Sequence, residues 1–261
     1  MRRWTLLLPL LLVLFCAGAS ARQPPQRILF IGNSLTYVGN LPATFAAMAR
    51  ANDHEMRAAM LVEGGATLSQ RVADGSALQA LRTYQPNMVV LQERGGDLMG
   101  WPDEQAGEQS RQAIRTLAQA GRDAGARVVL LGSYQSNPQA SAILVEQEST
   151  AATDAGIAYV EISESLRKLS GTQPALAWYA ADGMHPGPAL TLLDAIQLHR
   201  SLFGSLPAQG FEVTAPIYAA SSGLQAELRN ADAPAPRPQS TPQGIHYDKL
   251  QVEQFGVLLE Q

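Results

Sequence analysis

The sequence predicts an α/β fold in which a parallel sheet of five strands lies between two layers of helices. Short apolar runs alternate with longer helical patterns along most of the chain, as in proteins built from strand–helix–strand units. These runs are almost continuously apolar, which is typical of strands buried on both faces. The 261 residues are 46% hydrophobic, which is enough for one sizeable core.

The individual elements follow from the spacing of apolar residues and from prolines near helix ends. Pro42 stands in the first turn of a predicted helix and Pro188 at the entrance of another, where a missing N–H costs nothing. The predicted strands are Arg27–Ile31, Met56–Val62, Met88–Leu91, Arg127–Gly132 and Ala158–Ile162. The predicted helices are Leu41–Ala51, Leu78–Tyr84, Glu104–Ala124, Ala140–Ala155 and Ala189–Phe203. This order predicts a flavodoxin-like three-layer sandwich.

Both ends of the chain differ from this pattern. Residues 1–21 resemble a signal peptide, with Arg2 and Arg3, the apolar run Leu6–Ala17 and a small-residue cleavage site at Ala19-Ser20-Ala21. We therefore expect a periplasmic or secreted protein that begins near Arg22 and keeps no membrane span. Cys16 offers a lipoprotein alternative, which Phe15 before it disfavours.

At the other end, residues 206–230 are expected to extend the domain. Residues 231–261 are expected to form a proline-rich linker and a short helix.

Composition excludes several functions. The chain carries a formal net charge of −4, and loss of Arg2 and Arg3 makes it more negative by two. Nothing resembles the basic surface of a nucleic-acid-binding protein. No phosphate-binding loop, dinucleotide fingerprint or metal-ligand cluster occurs, so we expect neither a cofactor nor a metal. Cys16 is the only cysteine, so disulfides are not expected.

Two distant segments carry the chemistry of a nucleophilic hydrolase. Ser34 follows the first strand, and Asp182-Gly183-Met184-His185 comes shortly before the last helix. A serine becomes a nucleophile when a histidine removes its proton and a carboxylate holds that histidine. Each residue also has a plainer interpretation: Ser34 as a helix N-cap, Asp182 as part of an Asx turn, and His185 as a polar residue at a helix entrance. The other histidines, His54, His199 and His246, are expected to be structural.

Gly32-Asn33-Ser34-Leu35 resembles the first sequence block of the SGNH (GDSL-like) hydrolases, and Asp182-Gly183-Met184-His185-Pro186 resembles the last. Gly64-Gly65-Ala66-Thr67 is similar to the second block. The resemblance covers about residues 27–200 and implies a hydrolase domain over residues 22–205. It implies Ser34 as nucleophile, His185 as base, Asp182 as its partner, and the N–H groups of Ser34 and Gly65 in the oxyanion hole.

The third block departs from the family, because Leu91-Gln92-Glu93-Arg94 lacks the usual asparagine. Gln92 is the expected substitute, since it carries the same amide on a longer arm. Glu93 is expected either to shape the pocket or to be a solvated loop carboxylate. Trp178 and Tyr179 are expected to line a substrate platform or to be buried packing residues.

These features predict an exported serine esterase that forms an acyl-enzyme and acts on small-molecule or carbohydrate esters, with O-acetyl esters of carbohydrates preferred. The missing asparagine keeps open a non-catalytic carbohydrate-binding or envelope-assembly protein on the same scaffold. A flavin- or phosphate-binding protein is a further alternative, which the apolar Leu35 and Val38 after the first strand disfavour.

Overall fold

A computed structural model of the chain describes residues 24–237 and 244–260. The predicted signal peptide lies outside these residues. The strands are β1 Gln26–Gly32, β2 Met56–Val62, β3 Met88–Leu91, β4 Arg127–Leu131, β5 Ala158–Val160, β6 Phe211–Val213, β7 Leu228–Asn230 and β8 Ile245–Tyr247. The helices are α1 Ser34–Tyr37, α2 Leu41–Ala51, α3 Leu68–Ala73, α4 Ser76–Tyr84, α5 Glu104–Asp123, α6 Pro138–Ala155, α7 Ser163–Thr172, α8 Pro188–Phe203 and α9 Lys249–Glu260.

The central sheet has the strand order β5-β4-β3-β1-β2-β7. Its first five strands are parallel, in the flavodoxin-like order with a switch between β1 and β3. The α/β prediction is therefore confirmed. The sheet has one strand more than predicted, because β7 pairs antiparallel with β2 through Leu228 and Leu61. This strand belongs to the C-terminal extension, and its three residues were too short to give a sequence signal.

Strand β1 shows why its sequence is apolar without interruption. Ile28 and Phe30 point into the core beneath α2, α8 and α9, whereas Leu29 and Ile31 point into the core beneath α4, α5 and α6. All four side chains are fully buried. A strand covered on both faces needs apolar residues at odd and even positions alike.

The C-terminal segment packs against the domain. Residues 231–237 include buried Ala231, whose carbonyl accepts a hydrogen bond from Asn40 Nδ2 at 2.8 Å. The first half of the predicted linker is thus held in place, and residues 238–243 lie outside the described part. Helix α9 buries Val252 and places the ring of Phe255 5.6 Å from that of Trp178.

No helix within the described ranges is long and apolar enough to cross a membrane.

A buried carboxylate joins β4, β5 and α6. Glu148 accepts hydrogen bonds from the backbone N–H of Ser133 at 2.8 Å, from its hydroxyl at 2.7 Å and from Tyr159 Oη at 2.7 Å. Burial raises the pKa of Glu148 to about 7, although these donors favour the charged form.

This pKa predicts how stability depends on pH. Between the usual glutamate pKa of 4.5 and about 7, the folded protein holds a proton that the unfolded chain releases. A rise in pH through this window therefore lowers the free energy of unfolding. In Glu148→Gln this titration is lost, so its urea midpoint should fall less between pH 5 and 8 than that of the wild type. The exposed Glu146→Gln on the same helix is the control, and equal pH slopes in all three proteins would contradict the prediction.

Candidate active site

Ser34 lies at the carboxyl edge of the sheet, where β1 passes into the short helix α1. Asn33, not Ser34, is the N-cap: its Oδ1 accepts the backbone N–H of Leu35 at 3.0 Å. The interpretation of Ser34 as the cap is therefore wrong, and its hydroxyl is not needed to begin the helix. Ser34 is half-buried, and its backbone N–H has no acceptor within residues 24–237 and 244–260.

Asp182 and His185 form a pair, with 2.7 Å between Oδ2 and Nδ1. The second oxygen, Oδ1, accepts the backbone N–H groups of Met184 and His185 at 3.0 Å each. Gly183 supplies the positive φ of +69° that this turn needs. Asp182 thus closes the Asx turn and holds the histidine at the same time. The pKa of Asp182 is lowered to about 2, first by the two backbone hydrogen bonds and then by the bond to the imidazole.

The loop that carries this pair is fixed at several points. The Ala180 N–H donates to the carbonyl of His185, and the Gly187 N–H donates to Trp178, both at 2.8 Å. Tyr134 Oη donates to the Met184 carbonyl at 2.7 Å. At Gly187 a Cβ would lie 2.4 Å from the Ala177 carbonyl oxygen, so only glycine fits. The imidazole is 8% exposed, on an irregular but well-anchored segment.

The two segments are neighbours. Gly39, just after α1, lies so near the loop that a Cβ on it would be 3.6 Å from the Pro186 carbonyl oxygen. Among the described residues, no hydrogen bond joins Ser34 to His185. In proteins without substrate such bonds are often long or poorly aligned. The nucleophile and base roles of these residues therefore stay predictions.

Gly64 and Gly65 lie on the other side of α1, where a Cβ on Gly64 would be 3.1 Å from Tyr37 Oη. Gly65 has φ +73° and no atom within 4 Å of the position of a Cβ. Its N–H has no acceptor in the part of the chain that the structure describes. It lines an open cavity of about 630 Å³ together with Glu63 and Arg71. Within the described residues, the N–H groups of Ser34 and Gly65 thus share the absence of a hydrogen-bond acceptor.

The structure contradicts the role expected of Gln92. Its Nε2 donates to the Gly132 carbonyl at 3.2 Å, and its Oε1 accepts the Thr36 hydroxyl at 2.7 Å. The residue is only 1% exposed. Because its amide is used inside the protein, Gln92 does not present a donor to an oxyanion. It joins the end of β3 to α1 and to β4.

Glu93 is also not a solvated loop carboxylate, since it is buried. It accepts the backbone N–H of Leu68 at 3.1 Å and the hydroxyl of Ser110 at 3.0 Å. Burial is the main reason that its pKa is raised to about 7. Beside it, the Arg94 guanidinium donates to the Gly65 carbonyl at 3.2 Å. Sequence reasoning did not single out Arg94; its position directly after Glu93 at a strand end was the available signal.

Of the two roles expected for Trp178 and Tyr179, the structure favours buried packing for Trp178. Trp178 is buried and donates its indole N–H to the Gln173 carbonyl at 2.9 Å, whereas Tyr179 is half-buried. Trp101 and Met184 are instead exposed, by 68% and 60%.

The remaining histidines are outside this arrangement. His199 lies on α8 with Nδ1 2.8 Å from the Ser205 carbonyl, His54 stacks on Phe203 with 3.7 Å between ring centres, and His246 lies in β8. In the described ranges no group of three or more histidine, cysteine or acidic side chains could hold a metal ion.

The fold resembles those of several solved structures. No family profile matches the sequence, and no curated protein matches it. Among solved structures, a candidate SGNH hydrolase from Slackia heliotrinireducens is 26% identical, with a TM-score of 0.57 over 69% of this chain and all of its own. TesA is 21% identical, with a TM-score of 0.54 over 68% of this chain and 98% of its own. Axe2, an acetylxylan esterase from Geobacillus stearothermophilus, is 17% identical, with a TM-score of 0.54 over 67% and 93%.

The similarity to TesA and to Axe2 shows a shared fold only. The similarity to the candidate SGNH hydrolase is closer in sequence and spans the whole of the related protein. The fold that this chain shares with the candidate SGNH hydrolase supports the resemblance to the SGNH hydrolases carried by the sequence blocks of Ser34, Gly65 and the Asp182–His185 pair.

Proposed function

We propose that the protein is a serine esterase that hydrolyses carboxylic esters through an acyl-enzyme. The observation that carries the proposal is the Asp182–His185 pair, held at 2.7 Å on a fixed loop beside the helix that begins with Ser34. His185 Nδ1 is engaged by the carboxylate, which leaves Nε2 as the nitrogen that can accept the proton of the Ser34 hydroxyl.

In this mechanism the Ser34 oxygen attacks the ester carbon while His185 takes its proton. The N–H groups of Ser34 and Gly65 stabilise the oxyanion of the tetrahedral intermediate, where one such donor is worth about 3 kcal/mol of barrier. Protonated His185 then gives its proton to the departing alcohol. Water repeats the sequence on the acyl-enzyme, with His185 as base, and releases the acid and free Ser34.

The preferred substrates in this proposal are O-acetyl esters of carbohydrates. Two observations support this class. Trp101 exposes an indole ring in the loop after β3, and flat aromatic faces are large apolar surfaces suited to broad contacts. Axe2, which shares the fold, is an acetylxylan esterase. We also propose that the enzyme is exported to the periplasm or beyond, on the sequence pattern of residues 1–21.

A second candidate is a non-catalytic carbohydrate-binding protein on this scaffold. One observation favours it: the segment after β3 supplies no asparagine, and Gln92 does not replace its amide. Two backbone donors would then be the whole oxyanion hole. The two candidates differ in whether Ser34 reacts.

The first test is Ser34→Ala, because only an enzyme depends on this hydroxyl. With 4-nitrophenyl acetate and an acetylated xylo-oligosaccharide, kcat should fall by about a thousandfold or more. A fluorophosphonate probe should label the wild type on the peptide containing Ser34 and leave the variant unlabelled. Ser149→Ala, at an exposed position of α6, is the control. Retained turnover in Ser34→Ala would defeat the proposal, and an unreactive wild type would favour the binding protein.

Asp182→Asn tests the histidine partner. The amide keeps an oxygen for the turn but cannot accept the imidazole N–H and stabilise the cation as a carboxylate does, so kcat should fall at least about a hundredfold with a small change in KM. Because the wild-type pKa is lowered to about 2, the carboxylate is ionised throughout an assay between pH 4 and 9, and the effect should appear across that range. Asp123→Asn at the exposed end of α5 is the matched control. Wild-type kcat in Asp182→Asn would remove Asp182 from the mechanism.

Export predicts the start of the mature chain. Protein recovered from the periplasm or medium of a bacterial host should begin near Arg22, as N-terminal sequencing would show, and Ala21→Arg should keep the precursor uncleaved. A lipid-modified chain beginning at Cys16 would establish the lipoprotein alternative. Full-length protein in the cytoplasm would refute export.

A further inference from the structure

We propose that Arg94 is a positioning residue for the oxyanion-binding backbone: its guanidinium bridges the Gly65 carbonyl and the buried carboxylate of Asp97, and so sets the direction of the Gly65 N–H. This inference rests on the proposed function, since it assigns a role to Arg94 in the same site.

The bridge consists of three hydrogen bonds from one planar group. Arg94 Nε donates to Asp97 Oδ2 at 2.8 Å, Nη2 donates to Oδ1 at 2.5 Å, and Nη1 donates to the Gly65 carbonyl at 3.2 Å. The two contacts with Asp97 hold the guanidinium in one plane, because each carboxylate oxygen accepts a hydrogen bond from a different guanidinium nitrogen. Asp97 is itself almost fully buried and cannot move readily. The third bond therefore comes from a fixed donor.

Gly65 needs such a fixed donor. It is exposed, has a positive φ, and has open space where a side chain would be, so no side chain of its own anchors it. The neighbouring turn is closed by one bond at 3.2 Å, from the Ala66 N–H to the Glu63 carbonyl. The Gly65 N–H, which is the proposed donor, and the Gly65 carbonyl lie in adjacent peptide planes that share the Gly65 Cα. The bond from Arg94 fixes the carbonyl plane and so restricts the rotations about this Cα that would turn the N–H.

A second contact fixes the far end of the same segment. Glu93 accepts the Leu68 N–H at 3.1 Å and the Arg94 N–H at 3.0 Å, and Ser110 Oγ holds the carboxylate from α5. The residues after β3 thus bind the Gly65–Leu68 segment at both ends. Arginine suits this task, because lysine cannot make a bidentate contact with Asp97 and reach Gly65 at once.

The test is Arg94→Met in the full-length protein, assayed with 4-nitrophenyl acetate. We expect kcat to fall about tenfold or more and KM to change little, because the contact acts on the oxyanion and not on the bound ester. Affinity for a boronic acid, which forms a tetrahedral adduct with the serine, should fall by a similar factor. Arg94→Lys should recover part of the loss at most.

Two further variants separate positioning from folding. Arg94→Met combined with Asp97→Asn removes the buried charge that the single variant leaves unpaired, and it should show the same loss of kcat. Arg167→Met is the control: Arg167 makes an ion pair of the same i,i+3 spacing with Glu164 and has no bond to Gly65. It should keep wild-type kcat and boronic acid affinity.

Hydrogen exchange supplies a readout that does not need activity. In Arg94→Met the peptide covering residues 63–68 should exchange faster than in the wild type, and the peptide covering α8 should not. Unchanged kcat, or a lower kcat with unchanged boronic acid affinity, would overturn the inference. If the wild type has no esterase activity, the proposed function fails by itself. Unchanged exchange over residues 63–68 would then overturn the positioning of Gly65 as well.

Discussion

The arrangement of the site depends on how the Asp182 carboxylate distributes its hydrogen bonds. One oxygen accepts two backbone N–H groups of its own turn, and the other accepts the imidazole. The carboxylate therefore shapes the loop and orients the histidine at the same time. It does this while its side chain is 41% exposed, where an isolated ion pair would contribute little. These hydrogen bonds are short, and two of the three donors are backbone N–H groups. The geometry therefore does not rely on long-range charge attraction.

The sheet supplies the second constraint. Strands β1 and β3 are neighbours at the point where strand order reverses. The segments that leave them pack together, and their buried polar groups need hydrogen-bond partners. Thr36 and Gln92 make that joint by a bond of 2.7 Å, and Asn33 Nδ2 donates to the Gln92 carbonyl at 3.4 Å. A buried amide that meets such needs is bonded inside the protein and is not exposed to substrate. This explains why matching a functional group by chemical type misassigned Gln92.

Sequence reasoning predicted the parts of the molecule that are set by local pattern. The buried strands, the long helices and the turn around Gly183 each have a signal within a few residues. It missed the parts that depend on tertiary contacts. Strand β7 exists because β2 offers an open edge, α9 docks because Trp178 lies beneath Phe255, and Glu93 is buried because α3 and α5 cover it. None of these causes is adjacent in sequence to its effect. Trp178 illustrates the limit, since a buried and an exposed tryptophan have the same local pattern.

The residues after β3 show how an active site can keep its shape when one element changes. In the SGNH hydrolases that the sequence resembles, this segment provides a side chain that faces the oxyanion. Here Gln92 is turned inward, and its neighbours Glu93 and Arg94 bind the segment that carries Gly65. In the proposed site two backbone N–H groups then remain as donors, and a backbone donor stabilises charge only as well as its direction is maintained. A chain without the side-chain donor has correspondingly more need of a rigid Gly65 turn. The buried Glu93 carboxylate and the bidentate Arg94 guanidinium, which contact the Gly65–Leu68 segment, meet this need. Burying the carboxylate and immobilising the guanidinium cost free energy, which their contacts must offset.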